Sequence, residues 1–279
     1  MSRDWSDKEV EQTVRSYFSM LKQEITNRKY NKTSYRTQLL ESLDNRTHGA
    51  VEKKHQNISA VLTELQMPSI NGYKPLYNYQ QLLVEKVNSF LTANKRFLDL
   101  FDQDVTASPQ IIKEVDFEKV LVAPPLAEEK NKIRDITPNL SHKSTNYLEK
   151  EARNIAIGNA GEEFVIAYEK YRLSCAGKAH LADKIERVSE TKGDSAGFDI
   201  LSFEENGEDR YIETKTTQYG KSIPFFISPN ELAFSDRHSK NYHLYRVFNF
   251  REKPEMYVLK GNMYLACDLE PTEYRARVK

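Results

Sequence analysis

The stretch Gly197-Phe198-Asp199-Ile200-Leu201-Ser202-Phe203, a turn at Glu205-Asn206-Gly207, and Tyr211-Ile212-Glu213-Thr214-Lys215-Thr216 read as two strands joined by a hairpin. Strand residues two apart share a face, so Glu213 and Lys215 point one way while Ile212 and Thr214 point the other. Ile212 goes to the core. The hairpin folds the strand of Asp199 back beside that of Glu213, which allows the two carboxylates to become neighbours and an ammonium to join them. Carboxylate oxygens are the hard ligands Mg²⁺ prefers, and Mg²⁺ keeps several waters, so Asp199 and Glu213 are expected to hold Mg²⁺ or Mn²⁺ beside a phosphodiester. Lys215 then orients or helps deprotonate the attacking water and neutralises the charge that builds on the phosphoryl group. Glu162, on the preceding helix, completes or orients the metal shell. Glu163 is the alternative there, because adjacent helix positions diverge by about 100°.

Outward from this pair, short β-branched or aromatic runs at Lys184–Val188, Pro224–Ile227, Tyr242–Phe250 and Glu255–Lys260 predict further strands, and Asn230–Asp236 predicts a short helix. A long helical pattern over Leu148–Leu173, broken near Gly158 and Gly161, precedes them. These elements define an α/β domain over residues 146–279. Upstream, between about Phe101 and Tyr147, periodicity decays and Pro109, Pro124, Pro125 and Pro138 appear, so residues 99–145 read as a linker. Residues 1–98 read as a helical domain. Its helices are predicted from an N-cap at Ser6 or Asp7, then over Thr33–Leu43, Gly49–Leu65 and Tyr79–Leu98. The expected class is therefore α/β, an all-helical N-terminal domain followed by a sheet flanked by helices.

Composition limits the function classes. The 279 residues are 39% hydrophobic and 29% charged, which suits a packed core under a well-solvated exterior. No run of about eighteen apolar residues is present and the amino terminus is charged at once, so neither a membrane span nor a secretory signal is expected, and the default location is cytoplasmic. Two cysteines, Cys175 and Cys267, make neither a disulfide framework nor a four-ligand zinc site. Basic and acidic residues balance at 41 each, so overall charge does not point to nucleic acid; residues 1–92 carry only a slight basic excess.

Asn154, Gly158, Gly161, Glu162, Val165, Tyr168 and Glu169, then Val188-Ser189, Gly193-Asp194, Gly197-Phe198-Asp199-Ile200, Tyr211 to Thr217, Pro224 to Ser228, Asn230-Glu231, Tyr242 and Tyr245-Arg246-Val247 resemble the domain at the carboxy terminus of the NO VEIN protein. That family is similar to the PD-(D/E)xK nucleases, and the likeness covers about residues 146–277. It implies a restriction-endonuclease-like mixed sheet, a metal-dependent DNA endonuclease of the Mrr-like restriction group, Asp199, Glu213 and Lys215 as its D…ExK set, and Glu162 as the helical acid. Gly-Phe-Asp stands where Pro-Asp is the family's name-giving pair. The setting implied is bacterial restriction or phage defence, with a homodimer because two strands need two sites.

In the helical domain, Arg46, Gly49-Ala50-Val51-Glu52, Lys54-His55, Asn57 to Leu62 and Gly72-Tyr73-Lys74-Pro75 resemble a segment that precedes nuclease-type domains in bacterial proteins. Arg46, Lys53, Lys54, His55 and Asn57, together with Tyr73 and Lys74, interleave basic, amide and aromatic groups suited to phosphate contact, base-edge hydrogen bonds and stacking. These residues are expected to bind DNA, with Arg246 a further phosphate contact. A solvated helix face is the plain structural alternative for Lys53 to Asn57, and a surface hairpin of alternating charges the alternative for Asp199, Glu213 and Lys215. Two other functional expectations compete with the nuclease: a catalytically silent nucleic-acid-binding or partner-recruiting protein on the same scaffold, and a nuclease silent until a defence-system protein partner docks on the helical domain.

Overall fold

The computed structural model describes residues 4–109, 114–125, 145–192, 196–251 and 253–272. The chain opens with α1 (Asp7–Ile25), whose N-cap Ser6 and Glu9 form a reciprocal capping box. Helices α2 (Lys32–Glu41) and α3 (His48–Glu64) follow, each started by a side-chain cap, Asn31 and Thr47. The predicted Tyr79–Leu98 helix is two: α4 (Gln81–Ala93) ends at Asn94, and α5 runs from Lys95 to Thr106. The helical boundary placed at residue 98 therefore falls inside α5. Phe97, Phe101 and Val105, spaced four apart, are buried there and continue the stripe that the proline-rich surroundings obscure. Of the expected 99–145 linker, residues 110–113 and 126–144 lie outside the described residues, as do Gly193 and Asp194.

The predicted Leu148–Leu173 helix divides into α6 (Tyr147–Ala152) and α7 (Ile155–Cys175). The break falls at Arg153-Asn154 rather than at the glycines, because the Asn154 side chain accepts from Ala156 N at 3.1 Å and starts a new helix. Gly158 and Gly161 lie within α7. A Cβ on Gly161 would stand 1.8 Å from Thr216 Oγ1, so the missing side chain is what lets α7 lie directly on the sheet.

After α8 (Ala179–Ala182) come β1 (Glu186–Arg187), α9 (Val188–Lys192), β2 (Ile200–Phe203), β3 (Asp209–Thr216), α10 (Pro229–Arg237), β4 (Tyr242–Phe248), β5 (Glu255–Lys260) and α11 (Met263–Ala266). The five strands form one sheet in sequence order. β1–β2, β2–β3 and β4–β5 pair antiparallel, while β3 and β4, joined by a crossover through α10, pair parallel. The sheet is thus mixed, with helices on both faces, as expected. Ile200, Ile212, Tyr245 and Val247 pack with Phe164 and Val165 of α7 on one face, and Tyr242, Leu244 and Met263 pack with α10 residues on the other. Pro224–Ile227 is not a strand. Its alternation has another use: Phe225 and Ile227 pack toward the α10 face, and Phe226 packs against the helical core.

That helical core is not closed without the second half of the chain. Tyr147, Leu148, Tyr219 and Ile223 belong to the same buried cluster as Phe18, Leu62 and Phe101. A polar clasp adjoins it. Arg251 donates to both oxygens of Asp104 at 2.7 and 2.8 Å and to the α1 carbonyls of Glu24 and Ile25, while Tyr219 donates to Asp104 at 2.6 Å. The linked carboxylate, phenol and guanidinium satisfy one another within the contact.

Candidate active site

On β3, Ile212 faces α7, so Glu213 and Lys215 face the α10 side, as strand alternation requires. The antiparallel register sets Ile200 against Ile212, which brings the preceding residue, Asp199, alongside Glu213. Asp199 N donates to Ile212 O at 2.9 Å, and the Asp199 carboxylate accepts from Thr214 N at 2.8 Å. Gly197 makes the approach possible. It adopts φ of +81°, and a Cβ there would lie 2.7 Å from that of Phe234 on α10.

Lys215 Nζ lies 2.7 Å from Glu213 Oε1 and 2.8 Å from Glu231 Oε2. Glu231 is the third residue of α10, where it also forms the capping box with Ser228, so one carboxylate starts the helix and holds the ammonium. Burial works against the charge on Lys215, but the two carboxylates outweigh it and hold its pKa above the usual lysine value. Burial raises Glu213 well above its ordinary range, opposed by Lys215 and reinforced by Asp199 and Glu231. Asp199 is pushed up to about 7 by burial and by the charge of Glu162. The cleft therefore holds more buried negative charge than its own lysine neutralises.

Asp199, Glu213, Lys215, Glu162, Glu231 and Arg246 all line one cleft of about 1320 Å³. Glu162 is engaged differently from expectation. Its Oε2 accepts from Arg187 Nε at 2.7 Å and Ser189 Oγ at 2.6 Å. Among the described residues, no group of three or more His, Cys, Asp or Glu side chains stands together as a metal-binding cluster, and Glu162 is held by Arg187 and Ser189. The two remaining acids still suit a magnesium-like cation, which is commonly bound through one or two carboxylates with the rest of its shell from water and phosphate. Burial is the main cause of their raised proton affinities, with Lys215 opposing it in both.

Two residues of the cleft carry no assigned role in the sequence reading. Glu231 is one, recognisable in Ser228-Pro229-Asn230-Glu231 as a helix start but not as the partner of Lys215. Glu151 is the other. It is buried on α6, accepts from Thr217 Oγ1 at 2.7 Å and from Gln218 N at 2.8 Å, and is pushed up to about 7 by burial. Nothing in its local sequence signals that role.

The proposed DNA-reading set on the helical domain is mostly interior. Arg46 is paired to Glu9 through Nε at 2.9 Å and NH2 at 3.0 Å and lies over the Trp5 ring. Lys54 is buried over the same ring, and Asn57 donates to Leu76 O at 2.6 Å. His55 and Tyr73 are buried against Tyr17. Only Lys53 and Lys74 of that set face solvent. The expected face for bases is corrected accordingly: Val51, Lys54, His55, Ile58, Val61, Leu62 and Leu65 form the stripe by which this segment packs inward, and an aromatic ring plus a buried acid accommodate the charges. Arg246, also expected at nucleic acid, is buried in the sheet but does line the cleft.

A five-stranded mixed sheet with a carboxylate pair and a lysine converging above its α10 face is the class of site defined here. Residues 161–259 match the family model described as Protein NO VEIN, C-terminal, a span that contains Glu162, Asp199, Glu213, Lys215, Glu231 and Arg246. No curated protein and no solved structure matches the chain.

Proposed function

We propose that the protein is a metal-dependent DNA endonuclease that hydrolyses phosphodiester bonds in this cleft, acting in bacterial restriction or phage defence. One observation carries the reading: Asp199 is hydrogen-bonded to the backbone between Glu213 and Lys215, so two acids and an ammonium converge on adjacent strands. Asp199 and Glu213 would hold Mg²⁺ or Mn²⁺, which when bound polarises the phosphoryl oxygens and lowers the pKa of a coordinated water. Glu213 then shares its negative charge with the cation as well as with Lys215. Lys215, kept protonated and steered by Glu231, offers an ammonium to charge developing on the phosphate. Glu162, fixed by Arg187 and Ser189, contributes its charge to the field at Asp199 rather than a bond to the ion.

A homodimer would supply one such cleft per strand of the duplex, and a defence-system protein partner remains compatible with the helical part. The test is cleavage of unmodified, methylated, hydroxymethylated and glucosylated DNA with Mg²⁺ and with Mn²⁺, using the full chain and its Asp199→Asn and Lys215→Met variants. Metal-dependent cleavage lost in both variants is expected; cleavage that persists in them removes this site from the reaction. The engagement of Glu162 by Arg187 favours a second reading, a non-cleaving DNA-binding protein on the same scaffold. Calorimetric titration with Mn²⁺ separates them, because only the hydrolase requires a cation at Asp199 and Glu213.

A further inference from the structure

Arg246 on β4 stands directly opposite Lys215 in the parallel register and lines the same cleft. It is 2% exposed, and no acid lies in ion-pair distance of it among the described residues. Its NH2 donates a long bond of 3.3 Å to Ile223 O, its side chain also interacts with the Tyr257 hydroxyl, and its guanidinium lies 5.6 Å from the centre of the Phe225 ring. Nε has no acceptor at all. Glu151, the carboxylate whose charge acts on Arg246, is already committed to Thr217 and Gln218 and has a raised proton affinity. A guanidinium keeps its charge in any protein environment, so a buried one with an unused N–H and no counter-ion is costly to the empty fold. What makes such a group worth keeping is an anion that arrives from outside.

We propose that Arg246 is the phosphate-holding group of the cleft, taking a non-bridging oxygen of the DNA backbone at a position beside that served by Lys215. This rests on the nuclease reading for the identity of the polyanion but not for its chemistry, since a guanidinium fork recognises phosphate with or without hydrolysis. Phe225, whose ring faces the guanidinium, belongs to an irregular, half-buried segment between β3 and α10. The strand pairing fixes Arg246 to the same rigid frame as Glu213 and Lys215, which ties the position of a held phosphate to that of the acids.

The experiment measures binding of a short fluorescein-labelled single-stranded DNA by anisotropy in EDTA over a range of KCl concentrations, with full-length wild-type, Arg246→Met, Arg246→Lys and Asp199→Asn proteins. Loss of one phosphate contact predicts binding weakened about tenfold in Arg246→Met and a salt slope smaller by about 0.7. Arg246→Lys should recover part of the affinity and the full slope, and Asp199→Asn should bind at least as tightly as wild type. Thermal unfolding supplies a second readout. A ligand-holding arginine predicts that Arg246→Met melts no lower than wild type, whereas an arginine needed to brace the sheet predicts a lower melting temperature. Unchanged affinity and slope in Arg246→Met, or no binding by wild type, overturns the proposal. Arg246-dependent binding without cleavage under any metal upholds the subsite and ends the nuclease reading; cleavage by Arg246→Met with unaltered KM and salt response ends the subsite and leaves the nuclease standing.

Discussion

The carboxylate of Asp199 accepts a hydrogen bond from the backbone N–H of Thr214 at 2.8 Å, so one acid of the cleft is fastened to the very strand that carries the other acid and the lysine. The backbone amide stabilises the charged form, yet burial and the neighbouring Glu162 outweigh it. The arrangement is held together by the fold rather than by its own electrostatics.

Asp199→Asn should therefore stabilise the metal-free protein at alkaline pH. The folded pKa of about 7 lies above the ordinary 3.8, so this group's contribution is fully present below pH 4 and is lost as pH rises through 7. At pH 8 the variant should gain about 2 to 4 kcal/mol over wild type in EDTA, and at pH 4 the two should converge. Added Mn²⁺ should narrow the gap from the wild-type side. Denaturant titrations at the two pH values, with and without metal, check this.

His55 predicts the opposite slope. It is fully buried against Tyr17 and Tyr73, neither ring nitrogen has a partner, and its pKa is driven down to about 3 by burial and by Arg36 and Lys32. A histidine whose folded pKa is depressed contributes stability that is present above 6.5 and lost as pH falls toward 3. His55→Leu should be neutral or stabilising at pH 8 and about 2 kcal/mol more stable than wild type at pH 5. Urea unfolding at pH 5 and 8 measures the difference.

Gly161→Ala should cost about 3 kcal/mol or more, because its methyl group would overlap the Thr216 side chain and push α7 off the sheet. Thr216→Gly in the same chain should restore part of the loss. Thr216→Ala alone should be mild, since the Thr216 hydroxyl is buried without a partner. Melting temperatures of the three variants test this.

Arg251→Met should destabilise by about 3 to 5 kcal/mol, leaving Asp104 enclosed with only Tyr219 to satisfy it. Adding Asp104→Asn should cost less than the sum of the single changes. A double-mutant cycle by chemical denaturation gives the coupling.

Much of the sheet could be read in advance because period-two alternation is a local signal: Ile212 inward and Glu213 and Lys215 outward follow from spacing alone. The N-cap at Ser6 is equally local, whereas the capping box at Ser228, which starts α10 one residue before the expected Asn230, is seen only in the structure. What escaped were features that depend on distant partners. Helix α5 shows its stripe of Phe97, Phe101 and Val105 only once the core that receives it is known. Arg46 and Lys54 look like a basic surface in the sequence, and only Trp5 and Glu9, some forty positions away, turn them inward. The Pro224–Ile227 run has strand-like side chains but serves two cores from an irregular backbone. Glu231 and Glu151 reach the cleft through tertiary placement, for which no short motif exists.

Tyr219, Ile223 and the flank of Phe226 sit like pegs in a socket made by the first hundred residues. The sheet is consequently no transplantable cassette. A chain that carried the same strands behind a different leader would have to fill that socket with a new neighbour or replace the pegs with polar side chains, and a fragment cut between α5 and α6 would expose greasy surface on both halves. Swapping leaders between such proteins should therefore succeed only when the pegs travel with them.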